Sequence, residues 1–256
     1  MKWPCILLGV AILAVLVFVL NALRFAVSAL IREPLPCMVE KLRARDGFVT
    51  LDHISQEFIQ ILVTSEDPRF LRHHGFDIKT IYYAIKVNLR QLRRKEDMQG
   101  GSTITQQLVK NIYLTPKKTF TRKLTELFIS LYVESKLSKS EILELYDNVI
   151  YYGKNNWGIR NAAAYFFGCA PSELTPNQSV TLVCQLPNPN LFNPVDAPAA
   201  FFKRRQECLR FLVICGTVTQ ETAAKMEVSK WSEGAPELQL NTLKKPAWRF
   251  GENEKV

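Results

Sequence analysis

Histidine is scarce in this 256-residue chain, with three copies, and the six cysteines include no Cys-x-x-Cys pair and no metal-ligand spacing. Nothing therefore signals a zinc module or a thiol-redox site. Cys184, Cys208 and Cys215 fall in apolar helical stretches, where a thiol behaves as a small hydrophobe, and the sequence leaves open whether any cysteines pair. Strand-like alternation of apolar and polar residues is nearly absent, which argues against sheets and barrels and for an all-α, mainly helical chain. There are no internal repeats, and no nucleic-acid-binding motif accompanies the net charge of +9. Charge is missing altogether from Cys5 to Leu23, a run of nineteen residues in which only Asn21 is distinctly polar. At about 1.5 Å per residue, such a helix nearly spans a hydrocarbon layer of about 30 Å. No small-x-small cleavage site follows a compact apolar region, so an uncleaved anchor is expected rather than a signal peptide or a buried core helix. The flanking charges, Lys2 before the run and Arg24, Arg32, Lys41, Arg43 and Arg45 after it, by themselves favour a cytoplasmic C-terminal side.

The basic excess is local. Between Arg69 and Lys123 there are thirteen Lys or Arg against three acids, Asp77, Glu96 and Asp97, so the remainder of the chain is close to neutral. A patch of this kind implies an anionic partner such as a phospholipid headgroup or a phosphorylated substrate; part of it, notably Arg93-Arg94-Lys95, also fits a solvated helix end.

Periodicity and cap signals set out the organisation. Residues 1–30 read as the membrane anchor and 31–51 as an irregular connector opened by Pro34 and Pro36. Residues 52–229 read as a helical domain and 230–256 as a polar, irregular tail. Asp77 is a plausible N-cap for a helix through Ile78, Ile81, Ile85 and Leu89. Further helices are expected over Thr103–Leu114, Phe120–Leu137, Ile142–Val149 and Ala199–Cys215. Ser138-Lys139-Ser140-Glu141 and Thr175-Pro176-Asn177-Gln178 have the pattern of capping boxes.

Two dense polar blocks interrupt this core-building sequence, Glu66 to Asp77 and Gly100 to Asn111. Polar groups cost stability if buried without partners, so their crowding marks a candidate site. Glu66 beside Asp67 suits a general base whose proton affinity is raised by burial or a like charge; the plain alternative is a turn cap paired with Arg69 or Arg72. In the second block Ser102 and Thr103 can cap a helix whose N-terminal amides favour an anion. Thr103, Gln107 and Lys110 or Asn111 share one face of that helix, with Gln106 on its edge. A third cluster runs from Lys117 to Glu126. There Arg122 and Glu126 make either a simple i,i+4 ion pair or a carboxylate holding phosphate-binding cations. Glu141 is accounted for by its capping box.

Taken together the blocks resemble the peptidoglycan glycosyltransferases. Glu-Asp-x-x-Phe-x-x-His-x-Gly-x-Asp is matched by Glu66, Asp67, Phe70, His73, Gly75 and Asp77. Gly-Gly-Ser-Thr-Ile-Thr-Gln-Gln with its downstream Lys-Asn is matched from Gly100 to Asn111, and Arg-Lys-x-x-Glu by Arg122, Lys123 and Glu126. A fourth motif is recognisable in Lys139 to Asn148, with Asp147 for the usual leucine. A fifth runs from Ala164-Tyr165-Phe166-Phe167-Gly168 to Asn193-Pro194, with Gln178 for the usual glutamate.

The resemblance implies a lysozyme-like, two-lobed domain behind one transmembrane helix, polymerising lipid II into β-1,4-linked glycan strands with inversion and release of polyprenyl diphosphate. It implies Glu66 as general base. Lys110, Lys118, Arg122 and Lys123 would meet the pyrophosphate, and Glu126 would orient them or help to hold Mg²⁺ or Mn²⁺; no organic cofactor is implied. Asp67, Phe70, His73, Ser102, Thr103, Gln106, Gln107 and Asn111 complete the substrate-binding set that it suggests. It implies as partners lipid II, the growing strand, the cytoplasmic membrane and other cell-wall synthesis proteins, but no nucleic acid. It also implies a catalytic domain outside the cytoplasmic membrane, against the flanking charges. Residues after Lys230 contain no Ser-x-x-Lys, so a monofunctional, non-transpeptidase form is expected. A glycan-cleaving enzyme of related shape needs a carboxylic acid but no array of cations, and an inactive scaffold should have lost Glu66, Gln107, Lys110 or Glu126.

Overall fold

The computed structural model describes residues 3–82, 101–115 and 119–228. The expected tail, Gly100, Lys118, and the Ile85 and Leu89 end of the helix opened by Asp77 lie outside the described residues. Within them the chain is helical, with no strand and a single isolated bridge between Tyr151 and Trp157.

The first helix, α1 (Trp3–Arg32), is 30 residues long, and its apolar window runs from Ile6 to Arg32. Most of its large apolar side chains face outwards, as a bilayer-crossing helix requires. Its C-terminal half is different, because Ala22 and Ala26 are buried against α5 (Phe120–Glu134). There the Thr125 hydroxyl donates to the Ala22 carbonyl at 3.2 Å. Small side chains let the two backbones approach closely enough for that bond.

The segment expected to be an irregular connector contains a helix instead, α2 (Leu35–Arg43). Pro34 and Pro36 flank its start, where a missing backbone N–H is harmless, so they open a helix rather than break one. Leu35, Met38, Val39 and Leu42 are its buried stripe.

The remaining elements are α3 (Gln56–Glu66), α4 (Ile104–Tyr113), α5, α6 (Lys139–Val149), α7 (Ile159–Phe167), α8 (Pro176–Gln185), α9 (Pro198–Ile214) and α10 (Gln220–Val228). The structure bears out both capping boxes. Glu141 accepts from the Ser138 amide at 2.9 Å, and Gln178 from the Thr175 amide at 3.0 Å. A glutamine completes that cap as well as a glutamate, so the Gln178 departure leaves the start of α8 intact. Asp77 caps the helical residues 78–82, taking the Lys79 amide and the Thr80 hydroxyl at 2.9 Å each.

Around α3 the core closes from two sides. Phe58 and Leu62 are fully buried, α8 and α9 pack along the helix, and α4 is sandwiched between α5 and α6. The five described cysteines are all free thiols, Cys184 and Cys208 among the buried core.

Candidate active site

The C-terminus of α3 delivers Glu66 and Asp67 side by side, and they separate in role at once. Asp67 is buried, and its Oδ2 accepts both the Ile104 backbone amide at 3.1 Å and His73 Nε2 at 2.8 Å. It thus caps the start of α4 and holds the intervening loop against it. His73 sits edge-on to the fully buried Phe70, and its Nδ1 lies 4.0 Å from Glu134. Glu134 in turn accepts from Thr105 at 2.6 Å and from Lys139 at 2.7 Å.

The helix α4 is opened by a capping box of Thr103 and Gln106, both buried, and the Thr103 hydroxyl also donates to the Gly75 carbonyl at 2.8 Å. Gly75 has φ +92°, and a Cβ there would stand 2.9 Å from the Ser130 backbone of α5. The turn therefore needs glycine for conformation and for space. Asp67, Phe70, His73, Thr103 and Gln106 were all expected to touch substrate. In this structure Asp67 bonds His73 and the Ile104 amide, and Thr103 and Gln106 cap α4. The Phe70 ring lies under Lys139 Nζ at 4.3 Å, while His73 Nδ1 is left without a hydrogen-bond partner among the described residues. Arg69 pairs with Asp77 at 3.3 Å rather than with Glu66.

Glu66 is half-buried, with no cation in hydrogen-bonding contact among the described residues. Its Oε2 accepts from Gln107 Nε2 at 2.8 Å, and Gln107 Oε1 accepts from the Tyr146 hydroxyl of α6 at 3.1 Å. That second bond fixes which end of the amide faces the carboxylate. Burial pushes the Glu66 carboxyl above its ordinary range, with Asp67 adding to it; the Gln107 bond and the charges of Arg204 and Lys110 pull the other way. Sequence reasoning found Gln107 but not Tyr146 or Arg204. Tyr146 stood within the fourth motif as the tyrosine of Ile-Leu-Glu-x-Tyr, and Arg204 in the charged run Lys203-Arg204-Arg205-Gln206-Glu207 of the expected Ala199–Cys215 helix.

A second centre forms on the first turns of α5. Glu126 is buried, and its two oxygens accept from Arg122 Nη1 at 2.6 Å and from Lys123 Nζ. Lys123 also donates to Ser102 Oγ at 2.7 Å, which ties the entry to α4 into the cluster. Lys110 is solvent-exposed and makes no hydrogen bond or ion pair among the described residues. Desolvation by neighbouring protein lowers its proton affinity, Arg122 and Lys123 act in the same direction, and Glu126 and Glu66 oppose them. Lys110 is therefore the cation between the two carboxylate centres. Asn111 beside it is half-buried.

A divalent ion at Glu126 would have to displace one of its cations and take its remaining ligands from substrate and water. Both Glu126 oxygens are taken by cations, and no group of three or more His, Cys, Asp or Glu able to hold a metal occurs among the described residues.

A family model described as Transglycosylase matches residues 37–213 of this sequence, more than half of the chain. The chain belongs to the transglycosylase family. The lysozyme-like, all-α fold of that family agrees with the helices described above. The chain is 43% identical over 146 residues to the biosynthetic peptidoglycan transglycosylase of Nitrosomonas eutropha, covering 57% of this chain and 59% of that protein. It is 37% identical over 163 residues to the monofunctional glycosyltransferase of Staphylococcus haemolyticus, covering 64% and 58%. A match of 37% over 193 residues to penicillin-binding protein 1A of Escherichia coli covers 74% of this chain and 22% of that protein. The transglycosylase chain thus spans less than two thirds of each of these relatives.

Proposed function

We propose that this transglycosylase polymerises lipid II into peptidoglycan glycan strands. The observation that carries the reading is a carboxylate, Glu66, oriented by Gln107, with Lys110 lying electrostatically between it and the Arg122–Lys123–Glu126 cluster. Glu66 is the base. It accepts the proton of the acceptor sugar 4-hydroxyl as that oxygen bonds to C1 of the donor strand, while the C1–O bond to the pyrophosphate breaks with inversion. Its raised proton affinity brings it towards the working pH of a general base.

The leaving group is polyprenyl diphosphate, and stabilising its charge is the larger task. Lys110, Arg122 and Lys123 meet it, with Glu126 holding the last two in place. Cations on a rigid helix act at the oxygens where charge accumulates and need no rearrangement when the bond breaks. A glycan-cleaving enzyme would have no use for this array.

The apolar helix α1 fits a single-pass anchor beside a lipid-linked substrate. The catalytic domain lies on the outer face of the cytoplasmic membrane, and other cell-wall synthesis proteins are its neighbours there. Full-length protein in detergent, given labelled lipid II and analysed for glycan strands, tests the reaction with Glu66→Gln alongside. Polymer from the wild type and at least a hundredfold less from Glu66→Gln is the expected result, about 2.7 kcal/mol of lost transition-state stabilisation or more. Near-normal turnover by a folded Glu66→Gln would remove the base assignment.

A further inference from the structure

The helix α9 crosses α3 just beneath the carboxylate. Cys208 Sγ lies 3.5 Å from Ser65 Oγ, and Thr217, beyond the end of α9, meets Thr64 at 2.9 Å. Ser65 is the neighbour of Glu66, and Arg204 stands four residues before Cys208, one turn along the same face. Arg205 is locked elsewhere: its Nη2 donates to Asn177 Oδ1 and to the Met226 carbonyl, tying α8, α9 and α10 together.

Arg204 has a different environment. It is half-buried, its guanidinium lies 6.0 Å from the Phe192 ring centroid, and Nη1 reaches a partly exposed Glu207 at 3.4 Å. Its Nε is buried with no hydrogen-bond partner among the described residues. Pairing with Glu207 at that distance and exposure leaves most of the positive charge uncompensated.

We propose that Arg204 is a positioning residue for the reaction, holding Glu66 from α9 in the ionised form that accepts the incoming proton. This rests on the reading of Glu66 as the base. The groups that face Glu66 are few. Gln107 and Lys110 act from α4, Asp67 from the end of α3, the Tyr146 and Tyr152 hydroxyls from the α6 side and the Cys208 thiol from α9. Among the charged groups, Asp67 repels the Glu66 charge, while Arg204 and Lys110 attract it. Lys110 also faces the pyrophosphate cluster, so its attraction is shared. Arg204 stands on α9, apart from the Arg122–Lys123–Glu126 cluster, with only the exposed Glu207 as an ion-pair partner among the described residues.

The test is the pH dependence of lipid II polymerisation, measured as kcat/KM and kcat for the full-length wild type, Arg204→Gln and Arg204→Lys. Loss of the charge should move the acidic limb upwards by about half a unit to one unit, with most of the activity recovered on the alkaline plateau. Arg204→Lys should restore the limb to within about a third of that displacement of wild type. Should Arg204→Gln fold poorly, Glu207→Gln, which frees the guanidinium, carries the test: the limb should move to lower pH, and an unmoved or raised limb overturns the inference. An unmoved limb in Arg204→Gln, whether activity is lost evenly across pH or retained, overturns the inference. Activity in Glu66→Gln would instead overturn the base reading on which it rests, so the two failures are distinguishable.

Discussion

Asp147 offers the sharpest test of the packing. It lies in α6 with none of its surface exposed, and neither carboxyl oxygen has a hydrogen-bond partner among the described residues. The hydroxyl of Tyr152, which feels its charge, is equally buried and unpartnered. Burial alone pushes the Asp147 carboxyl well above the ordinary carboxylate range. The folded protein therefore holds this group neutral, whereas the unfolded chain releases the proton above about pH 3.9. Ionisation then favours the unfolded state, and stability is lost as pH rises between the unfolded and folded values. The slope is at most about 1.4 kcal/mol per pH unit, so this one group costs up to about 3 kcal/mol between pH 5 and 7. Asp147→Asn removes the titration but leaves a buried amide unsatisfied, at about 1–3 kcal/mol. Asp147→Leu removes both terms at some risk of overpacking. Thermal unfolding of the detergent-solubilised protein from pH 5 to 8 should show the leucine variant melting higher than wild type at pH 8. A gain of about 1–3 kcal/mol corresponds to roughly 2–10 °C at this chain length, and the gap should close towards pH 5. Parallel wild-type and Asp147→Asn curves would refute the argument, because they would mean that the carboxylate is ionised and bonded in the fold.

Two further outcomes follow from contacts within the site. Gly75→Ala should destabilise by about 2–4 kcal/mol in chemical denaturation, since a Cβ meets the α5 backbone and the residue holds φ +92°; a change under 1 kcal/mol would show that the loop yields. Tyr146→Phe should lower kcat by about tenfold, near 1.4 kcal/mol, with KM for lipid II little changed, because it frees Gln107 to turn its amide away from Glu66; an equal effect on KM would place Tyr146 in substrate binding instead.

What the sequence made legible was local. The boxes at Ser138–Glu141 and Thr175–Gln178 need only a three-residue spacing, and the structure forms both. The Arg122–Glu126 pair was equally readable, because α5 places i and i+4 on one face. What escaped depended on chain segments meeting across the fold. No spacing rule says that Asp67 will cap a helix starting at Ile104, yet that bond turns a suspected substrate ligand into a helix cap. The α2 segment was missed because proline was taken as a breaker where it opens a helix, although its buried stripe has helical spacing. Arg204 was one of several charges in the Lys203–Glu207 run, with nothing in its spacing to single it out; its place near Glu66 is set by the crossing of α9 over α3.

The bond from Thr125 to Ala22 sets an elevation. Ala22 stands ten residues before the end of α1, which puts it about 15 Å below that end along the helix axis. Sixteen residues separate it from Ile6, where the apolar window opens, a rise of about 24 Å and close to one hydrocarbon thickness. Arg122, Lys123 and Glu126 flank Thr125, so the cationic cluster stands beside the apolar helix, within its span rather than beyond its end. A substrate whose diphosphate joins a tail to a sugar carries its own charge where the two meet. On the proposed reaction, such a substrate reaches the cations from alongside the anchor helix, so α1 is a guide for the diphosphate as well as a tether.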